Sequence, residues 1–299
     1  MYKLKRFESL SLHGRKMPNM PTQMNEDHIV TAHNLFAVID GATQRKGKNI
    51  GDLTTGAYLA EFLHRNLTHI AQDPTYHDVE AAILLAGINR AFGEKMQKEY
   101  PELIEKGFAF GPAAAIAVVR LHEDGSYSYA HAGDCAILEF GIHGEVFQCP
   151  PEAKPYHLEG ARADHLRQIT QEQGITFDEA WELKEVQDKY DEYKHTLNVE
   201  WPVVTGDPRL ENVMFVGRRP LENVGSLVLM TDGMFLPGAD DLQGAEMAAR
   251  QMLEHGISAY AMGLQKVYDS DPTREKYMRF KHQDDASALL MQFKDILKN

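Results

Sequence analysis

Residues 34–41 read Asn34-Leu-Phe-Ala-Val-Ile39 followed by Asp40-Gly41. A short apolar run rich in β-branched and aromatic residues is typical of a buried strand, and Asp-Gly is typical of the turn that ends one. A carboxylate buried at such a position has to be paired or bound to a metal, because isolated buried charge is costly. The run therefore predicts a core strand that carries Asp40 to a cation.

Carboxylates at or beside strand ends recur along the chain. The members, in chain order, are Glu26-Asp27, Asp40-Gly41, Gly133-Asp134, Asp232-Gly233 and Asp284-Asp285. A single Asp-Gly is usually only a turn, but several carboxylates that converge at one end of a sheet repel one another unless cations lie between them. Ligation by oxygen alone favours magnesium or manganese over zinc. Two such ions held close together can activate one water for attack on phosphorus.

Helical periodicity begins shortly after this first strand. From Asp52, which is the predicted N-cap, apolar positions recur at helical spacing over several turns. A second helix is predicted over residues 78–100, with Val79, Ile83 and Phe92 near one face.

The rest of the chain mixes strands and helices. Strands are predicted at residues 113–121, 126–133, 136–140, 146–149, 226–231 and 286–293, and helices at residues 245–255 and 258–267. The strands between 113 and 149 are separated by short turns, which predicts an antiparallel meander. Helices grouped between runs of antiparallel strands predict an α+β layered sandwich.

Residues 151–200 are polar, charged and helical in composition. This composition indicates an insertion or lid rather than part of a core. No hydrophilic linker divides the chain, so we expect a single domain over residues 1–299.

The composition restricts the class of partner. The formal net charge is −13, which argues against nucleic acid and against an anionic membrane surface, because both need basic surface. The two cysteines show no CxxC spacing, and the N-terminal segment lacks the apolar core of a signal peptide. We therefore expect a cytoplasmic protein with no nucleic-acid or membrane partner.

Taken in order, the motifs resemble those of the PPM-type metal-dependent protein serine/threonine phosphatases, including their bacterial single-domain members. The similar segments are Asn25-Glu26-Asp27, Phe36-Ala-Val-Ile-Asp40-Gly41, Gly51-Asp52, Gly111-Pro-Ala-Ala-Ala115, Ala132-Gly133-Asp134-Cys135, Leu229-Met-Thr-Asp232-Gly233 and Asp284-Asp285-Ala-Ser287. Each segment is short, but their order and spacing match over nearly the whole chain.

The resemblance implies a four-layer α-β-β-α sandwich with two antiparallel sheets, and two tightly bound Mg²⁺ or Mn²⁺ ions between the sheets. It implies hydrolysis of phosphoserine and phosphothreonine in proteins, with Asp40, Asp232 and Asp284 as the catalytic carboxylates. By the same likeness, Asp40 bridges both ions, the Gly41 carbonyl ligates one, Asp232 and Asp284 bind the first, Glu26 or Asp27 serves the second, and Asp134 helps to hold a weaker third ion. The polar segment at about 151–215 would be a flap.

The chain departs from the family pattern at the phosphate-binding position. The family usually has an arginine shortly before the Asn-Glu-Asp segment, where this chain has Thr22, and Arg15 is too far upstream to carry over. The loop after Asp40 contains Arg45, which we take as the candidate phosphate ligand; the alternative is that its charges are merely solvated. Asp285 replaces the asparagine that is common in the closing motif.

Two other functional classes stay open. A catalytically silent relative that acts as a regulatory binding module fits the missing arginine, although the intact Asp40, Asp232 and Asp284 speak against it. An N-terminal-nucleophile amidohydrolase shares a layered sandwich, but the chain begins Met1-Tyr2 and exposes no such nucleophile. Cys135 has no evident histidine partner in the sequence, and we interpret it as a small core residue.

Overall fold

Two antiparallel sheets of five strands each are present in the computed structural model, which describes residues 3–14, 24–42, 49–151, 165–238, 241–272, 274, 276–277 and 281–294. The strands are β1 (Leu4–Leu12), β2 (Asp27–Ala32), β3 (Leu35–Gly41), β4 (Ala114–Leu121), β5 (Ser126–Ala132), β6 (Ala136–Gly141), β7 (Val146–Cys149), β8 (Phe215–Pro220), β9 (Val224–Met230) and β10 (Ala286–Phe293). The β3 sheet has the order β2-β3-β4-β5-β8, and the β10 sheet has the order β1-β10-β9-β6-β7.

Helices cover the outer face of each sheet. The helices of the described residues are α1 (Thr55–Gln72), α2 (Ala81–Glu99), α3 (165–173), α4 (Phe177–Trp181), α5 (Lys184–Lys194), α6 (Asp241–His255) and α7 (Ile257–Asp269), and α1, α2, α6 and α7 are the ones that cover the sheets. One apolar cluster joins α1 and α2 to the β3 sheet, a second joins α6 and α7 to the β10 sheet, and a third lies between the sheets. The predicted α+β, four-layer α-β-β-α sandwich is therefore confirmed.

Strand β3 shows why the opening apolar run lies in the core. Its side chains alternate: Phe36 and Val38 belong to the cluster between the sheets, whereas Ala37 and Ile39 pack towards α1 and α2. A central strand covered on both faces needs an unbroken apolar run. Burial of each large apolar side chain stabilises the fold by about 1.5–3 kcal/mol.

The start of α1 differs from the prediction. Thr54, and not Asp52, is the N-cap, because its hydroxyl oxygen accepts the Ala57 N–H at 3.0 Å. A threonine directly before the first helical residue can reach that N–H, whereas Asp52 lies a further two residues upstream.

The buried face of α2 was also predicted incorrectly in part. Ile83 is 62% exposed and Val79 precedes the helix, whereas Phe92 is buried as predicted. The buried stripe runs instead through Leu84, Ile88 and Phe92 at i, i+4 spacing. The apolar residues of this segment follow helical spacing on two neighbouring faces, one through Ile83 and one through Leu84. Which face is buried depends on how the helix packs against the sheet.

The predicted four-strand meander is wrong at its centre. Strands β4 and β5 form a hairpin in the β3 sheet, but β6 and β7 belong to the β10 sheet. The chain crosses between the sheets at residues 133–135, where Gly133 has φ +88°. This crossing matters for the site, because it takes Asp134 into the end of the space between the sheets.

The region predicted as an insertion contains helices α3 to α5. Leu166, Ile169, Ala180 and Val186 form a small apolar cluster of their own, separate from the three main clusters. Residues 152–164 lie outside the described residues, so the insertion and the single-domain organisation stay predictions. In the part of the chain that is described, no helix is both long and apolar enough to cross a membrane.

Candidate metal centre

Asp27 and Asp40 face each other across β2 and β3. They are direct register partners in the antiparallel pair, where opposed Cα atoms lie about 4.5–5.5 Å apart. Because Ile39 points towards the helices, Asp40 points into the space between the sheets. Its other neighbour, on β4, is Ala115, which is too small to fill that space.

Asp232 and Asp284 reach the same space from the β10 sheet. Asp232 follows the end of β9, and Asp284 precedes the start of β10. These two strands are antiparallel neighbours, with Met230 opposite Ala288. The end of β9 and the start of β10 therefore lie at the same end of the sheet, which brings Asp232 and Asp284 together.

Thr231 connects the two sheets at this end of the strands. The Thr231 hydroxyl donates to Asp27 Oδ2 at 2.9 Å, and the Thr231 hydroxyl oxygen accepts the Ser287 N–H at 2.9 Å. The Thr231 N–H in turn donates to the Ser287 carbonyl at 2.9 Å. Thr231 therefore fixes Asp27 of one sheet against the neighbouring strands of the other.

The electrostatics confirm that the carboxylates converge. The pKa of Asp40 is raised well above its usual value by burial, and then by the charges of Asp27, Asp232, Asp284 and Asp134. The pKa of Asp27 is raised to about 8 by burial and then by Asp285 and Asp284. Four of the predicted ligands, Asp27, Asp134, Asp232 and Asp284, thus lie close enough to Asp40 to oppose its ionisation.

The chemistry of this cluster fits a hard divalent cation. Asp27 Oδ1 is buried and accepts no hydrogen bond from the described residues, so an acceptor is available towards the cluster. Oxygen donors of this kind are the ligands that magnesium and manganese prefer. Although these carboxylates share one space, no three acidic, histidine or cysteine side chains in the described ranges are arranged closely enough around a single point to hold a cation.

A lysine lies among these carboxylates. Lys281 Nζ donates to Asp284 Oδ1 at 2.5 Å, and its side chain is 17% exposed. Burial lowers the pKa of Lys281, but the charges of Asp284, Asp40 and Asp232 outweigh burial and hold that pKa well above its usual value. The sequence interpretation did not include Lys281, although its position three residues before Asp284 was a possible signal.

Glu26 and Asp27 have different surroundings. Alternation along β2 puts Glu26 on the opposite side from Asp27, where Glu26 Oε1 accepts the Thr54 hydroxyl at the start of α1. Glu26 is buried, but it is not among the charges that raise the pKa of Asp40. Of the two candidates for the second ion, Asp27 is the one that faces the cluster.

Asp285 holds backbone segments in place beside the site. Its Oδ1 accepts the Gly14 N–H at 2.7 Å, and its Oδ2 accepts the Glu26 N–H at 2.8 Å. An asparagine has one acceptor oxygen and would leave one of these donors facing an amide NH₂. The departure from the family motif at Asp285 therefore has a local structural reason.

Two glycines are required where the chain passes close to other backbone. At Gly133, a Cβ would lie 2.3 Å from Ala115 Cβ, and the positive φ itself favours glycine. At Gly41, a Cβ would lie 2.7 Å from the carbonyl carbon of Gly56 at the start of α1. These contacts position Asp134 and Asp40. The ligand role of the Gly41 carbonyl stays a prediction.

Cys135 lies beside the cluster but is unsuited to nucleophilic attack. It is fully buried, and its pKa is raised well above its usual value by burial, then by Asp40 and Asp134. A thiol needs a lowered pKa and access to react. His131, whose Nε2 lies 2.6 Å from the Cys135 carbonyl oxygen, has its pKa lowered to about 4 by burial. The interpretation of Cys135 as a core residue is confirmed.

The predicted phosphate ligand Arg45 lies outside the described residues, as do Thr22 and Arg15. The flanking residues are described. A Cβ on Gly14 would lie 2.3 Å from the Asp284 carbonyl carbon, so the chain reaches the site one residue before Arg15. The Ala42 N–H donates to the Ala113 carbonyl at 2.9 Å, three residues before Arg45.

Comparison with known proteins gives structural similarity without close sequence relatives. No protein-family model and no curated protein matches the sequence. A solved structure described as a bacterial serine phosphatase matches with a TM-score of 0.57 at 16% identity, covering 98% of each chain. The catalytic domain of the serine/threonine protein phosphatase PstP, in complex with two manganese ions, gives 0.55 at 16% identity, covering 97% of this chain and 98% of that chain.

A third match extends the same pattern. The serine/threonine phosphatase Stp1 from Staphylococcus aureus gives a TM-score of 0.54 at 14% identity, covering 98% of this chain and 96% of that chain. At these identities the similarity concerns the fold. The chain therefore has, over nearly its whole length, the fold of the bacterial serine/threonine phosphatases that the order of its motifs resembles.

Proposed function

We propose that this protein is a metal-dependent phosphatase that hydrolyses phosphoserine and phosphothreonine in proteins. The observation that carries the proposal is the convergence of Asp27, Asp40, Asp134, Asp232 and Asp284 between the sheets. Full-length similarity to bacterial serine/threonine phosphatases supports the same reading. The crystallisation of PstP with two manganese ions supports Mg²⁺ or Mn²⁺ as the cofactor. The free, buried cysteines suit the reducing cytoplasm.

In this proposal, Asp40, Asp232 and Asp284 would hold the first ion, and the Gly41 carbonyl would ligate one of the two ions. Asp40 also reaches the second ion, which Asp27 or Glu26 serves, and Asp134 helps to hold a weaker third. Bound divalent cations lower the pKa of water and offset the charge of the phosphate. The protein fixes the ligands: Thr231 holds Asp27 through its hydroxyl, and the crossing at Gly133 directs Asp134.

We propose Arg45 as the phosphate ligand, because a guanidinium binds two phosphate oxygens at once. Arg15 is the second candidate, since Gly14 lies against Asp284. Arg45→Ala is expected to raise KM for a phosphopeptide by the equivalent of about 1.5–3 kcal/mol and to leave kcat less affected. An effect confined to Arg15→Ala would assign the role to the N-terminal segment instead.

The test is turnover of p-nitrophenyl phosphate and of a phosphoserine and phosphothreonine peptide panel, with magnesium, manganese, zinc or chelator. We expect activity with magnesium or manganese, little with zinc, and none with chelator. Full activity after chelation would contradict the metal mechanism. Binding of phosphopeptides without turnover under any metal would favour the regulatory binding module instead.

A further inference from the structure

We infer that Lys281 is a built-in counter-cation of the acidic cluster, which holds Asp284 in the metal-free protein and is displaced when a divalent cation binds. The inference rests on the proposed metal site, but it does not depend on the substrate. It makes Lys281 a positioning residue that sets how tightly the protein binds its metal.

The first support is the geometry of the pair. Lys281 Nζ lies 2.5 Å from Asp284 Oδ1, as close as the surface pairs Lys95–Glu99 and Lys184–Asp188. The surface pairs join helical residues at i, i+4 spacing, whereas the Lys281 pair lies outside any helix or strand. At Lys184–Asp188 the side chains are 87% and 58% exposed, but at Lys281–Asp284 they are 17% and 25% exposed. The Lys281 side chain is thus far less exposed to solvent than that of Lys184.

The second support is that both acceptor positions of one Asp284 oxygen are already occupied. Asp284 Oδ1 accepts the Lys281 ammonium and also the Asp285 N–H at 2.8 Å. A carboxylate oxygen has two lone-pair positions, and these donors occupy both. A metal ion that takes Asp284 Oδ1 must therefore replace one of them. The ammonium is the donor that can leave, because the Asp285 N–H belongs to the backbone leading into β10.

The third support is the charge balance of the site. A divalent cation placed among Asp40, Asp232 and Asp284 repels an ammonium at the same oxygen, so both are not held there together. Lysine suits this exchange, because its ammonium is a point charge on a flexible four-carbon stem. The lysine thus offsets repulsion between the carboxylates before metal arrives, and its displacement reduces the net gain from metal binding.

The experiment compares wild type, Lys281→Met, Lys281→Arg and the control Lys184→Met, each stripped of metal with chelator. Manganese affinity is measured by calorimetry, and the Tm of the chelated protein is measured separately. We expect Lys281→Met to bind manganese about tenfold more tightly and to melt at a lower temperature when chelated, because one counter-cation is gone. Lys281→Arg keeps the charge and is expected to bind no more tightly than wild type. Lys184→Met removes an equally short surface pair and is expected to match wild type in both measurements.

Unchanged or weaker manganese affinity in Lys281→Met would overturn the inference. If Lys281→Met does not fold without metal, Lys281→Gln replaces it, and unchanged affinity there has the same meaning. Both measurements are independent of turnover. Tighter binding in Lys281→Met together with an inactive wild type would refute the proposed phosphatase function and leave the inference standing, whereas metal-dependent turnover with unchanged affinity would do the reverse.

Discussion

Asp27 and Asp40 are held face to face by the register of two hydrogen-bonded strands, so the charge of Asp27 makes Asp40 harder to ionise. The strands cannot separate the two groups without losing ladder hydrogen bonds on both sides of β3. The fold therefore keeps two mutually repelling carboxylates side by side, an arrangement that is common where residues serve function rather than stability.

This repulsion predicts opposite effects of one substitution on activity and stability. Asp40→Asn keeps the side-chain size but removes a charge, so turnover should fall by several orders of magnitude as a cation ligand is lost. The chelated variant should unfold at a higher urea concentration than chelated wild type, because the remaining carboxylates repel less. Asp188→Asn, at an exposed position on α5, is the control and should change neither quantity. Near-normal turnover in Asp40→Asn would remove Asp40 from the site.

The same carboxylates predict how stability depends on pH. The pKa of Asp27 is raised from 3.8 to about 8 in the folded protein, so between these values the folded state binds more protons than the unfolded state. Stability of the chelated protein should therefore decrease as pH rises from about 4 to about 8, and level off above that. Saturating manganese should remove this decrease, because the ion then offsets the charges. Urea midpoints measured across this range, with chelator and with manganese, test the sign; a rise with pH under chelation would contradict it.

At the level of single residues, the sequence indicated the clustered carboxylates better than the groups that support them. Asp40, Asp232 and Asp284 each adjoin an apolar strand, which is a local signal. Lys281 and Thr231 gain their roles from contacts across the fold, and neither residue type suggests a role by itself. Sequence spacing also cannot tell that Glu26 and Asp27, although adjacent, point to opposite faces of β2.

At the scale of elements, the segment that follows α5 is tied directly to the site. The Gly133 N–H donates to the Pro202 carbonyl at 2.7 Å, and Ala114 and Val204 exchange two backbone hydrogen bonds of 3.0 Å. Asn198 orders this segment: its Oδ1 accepts the Val203 N–H at 3.0 Å, and its Nδ2 donates to the Thr205 hydroxyl at 3.1 Å. Residues 198–205 thus form a hydrogen-bonded turn that holds Gly133, the residue before Asp134.

We predict that loss of the Asn198 side chain weakens the Asp134 end of the site selectively. Asn198 has φ +58°, so Asn198→Gly removes the amide without straining the backbone. Loss of two buried hydrogen bonds should cost about 1–3 kcal/mol of stability. Turnover should fall severalfold, while calorimetry still finds the tight manganese sites of Asp40, Asp232 and Asp284. The control is Asn66→Ala on α1, because glycine at this position would weaken the helix. Loss of the tight sites in Asn198→Gly would contradict this separation.

The elements that the sequence missed are edge strands. Strands β1 and β8 alternate between half-buried and exposed residues, so neither shows the apolar run that identified β3 and β10. The meander was predicted wrongly for a different reason: β5 and β6 are both mostly buried and follow each other closely in the sequence, and nothing in their local pattern reveals that they belong to different sheets. Only the layer on which each strand packs distinguishes them.

At the scale of the whole molecule, polar contacts hold the sheets together at both ends of the sandwich. At the end where the carboxylates cluster, Thr231 and Asp285 on the side of the β10 sheet bond to the Asp27 side chain and the Glu26 backbone. Further along, Glu139 on β6 accepts the Tyr127 hydroxyl at 2.5 Å and the Arg219 guanidinium at 2.9 and 3.1 Å. Tyr127 and Arg219 belong to β5 and β8, so this network joins the two sheets across their core.

This arrangement predicts that Glu139 contributes to stability in the opposite sense to the metal-site carboxylates. Glu139→Ala leaves the buried Tyr127 hydroxyl and the Arg219 guanidinium without their acceptor, although Arg219 is 37% exposed and still reaches water. The expected loss is about 2–3 kcal/mol, below the full cost of breaking a completely buried pair. Urea unfolding should show this loss equally with chelator and with manganese, and manganese affinity should be unchanged. Tyr127→Phe removes one hydrogen bond only and should cost about 1 kcal/mol.

Comparing Glu139→Ala with Asp40→Asn distinguishes the cost of burying a charge from the effect of its partners. Both substitutions remove one carboxylate from between the sheets, but Glu139 has a guanidinium and a hydroxyl as partners, whereas Asp40 faces other carboxylates. If burial of charge alone set the cost, both variants would be stabilised. If partners decide, Glu139→Ala is destabilised and chelated Asp40→Asn is stabilised. A gain in stability for Glu139→Ala would mean that the network at the β5–β6–β8 side serves to align the sheets rather than to stabilise them.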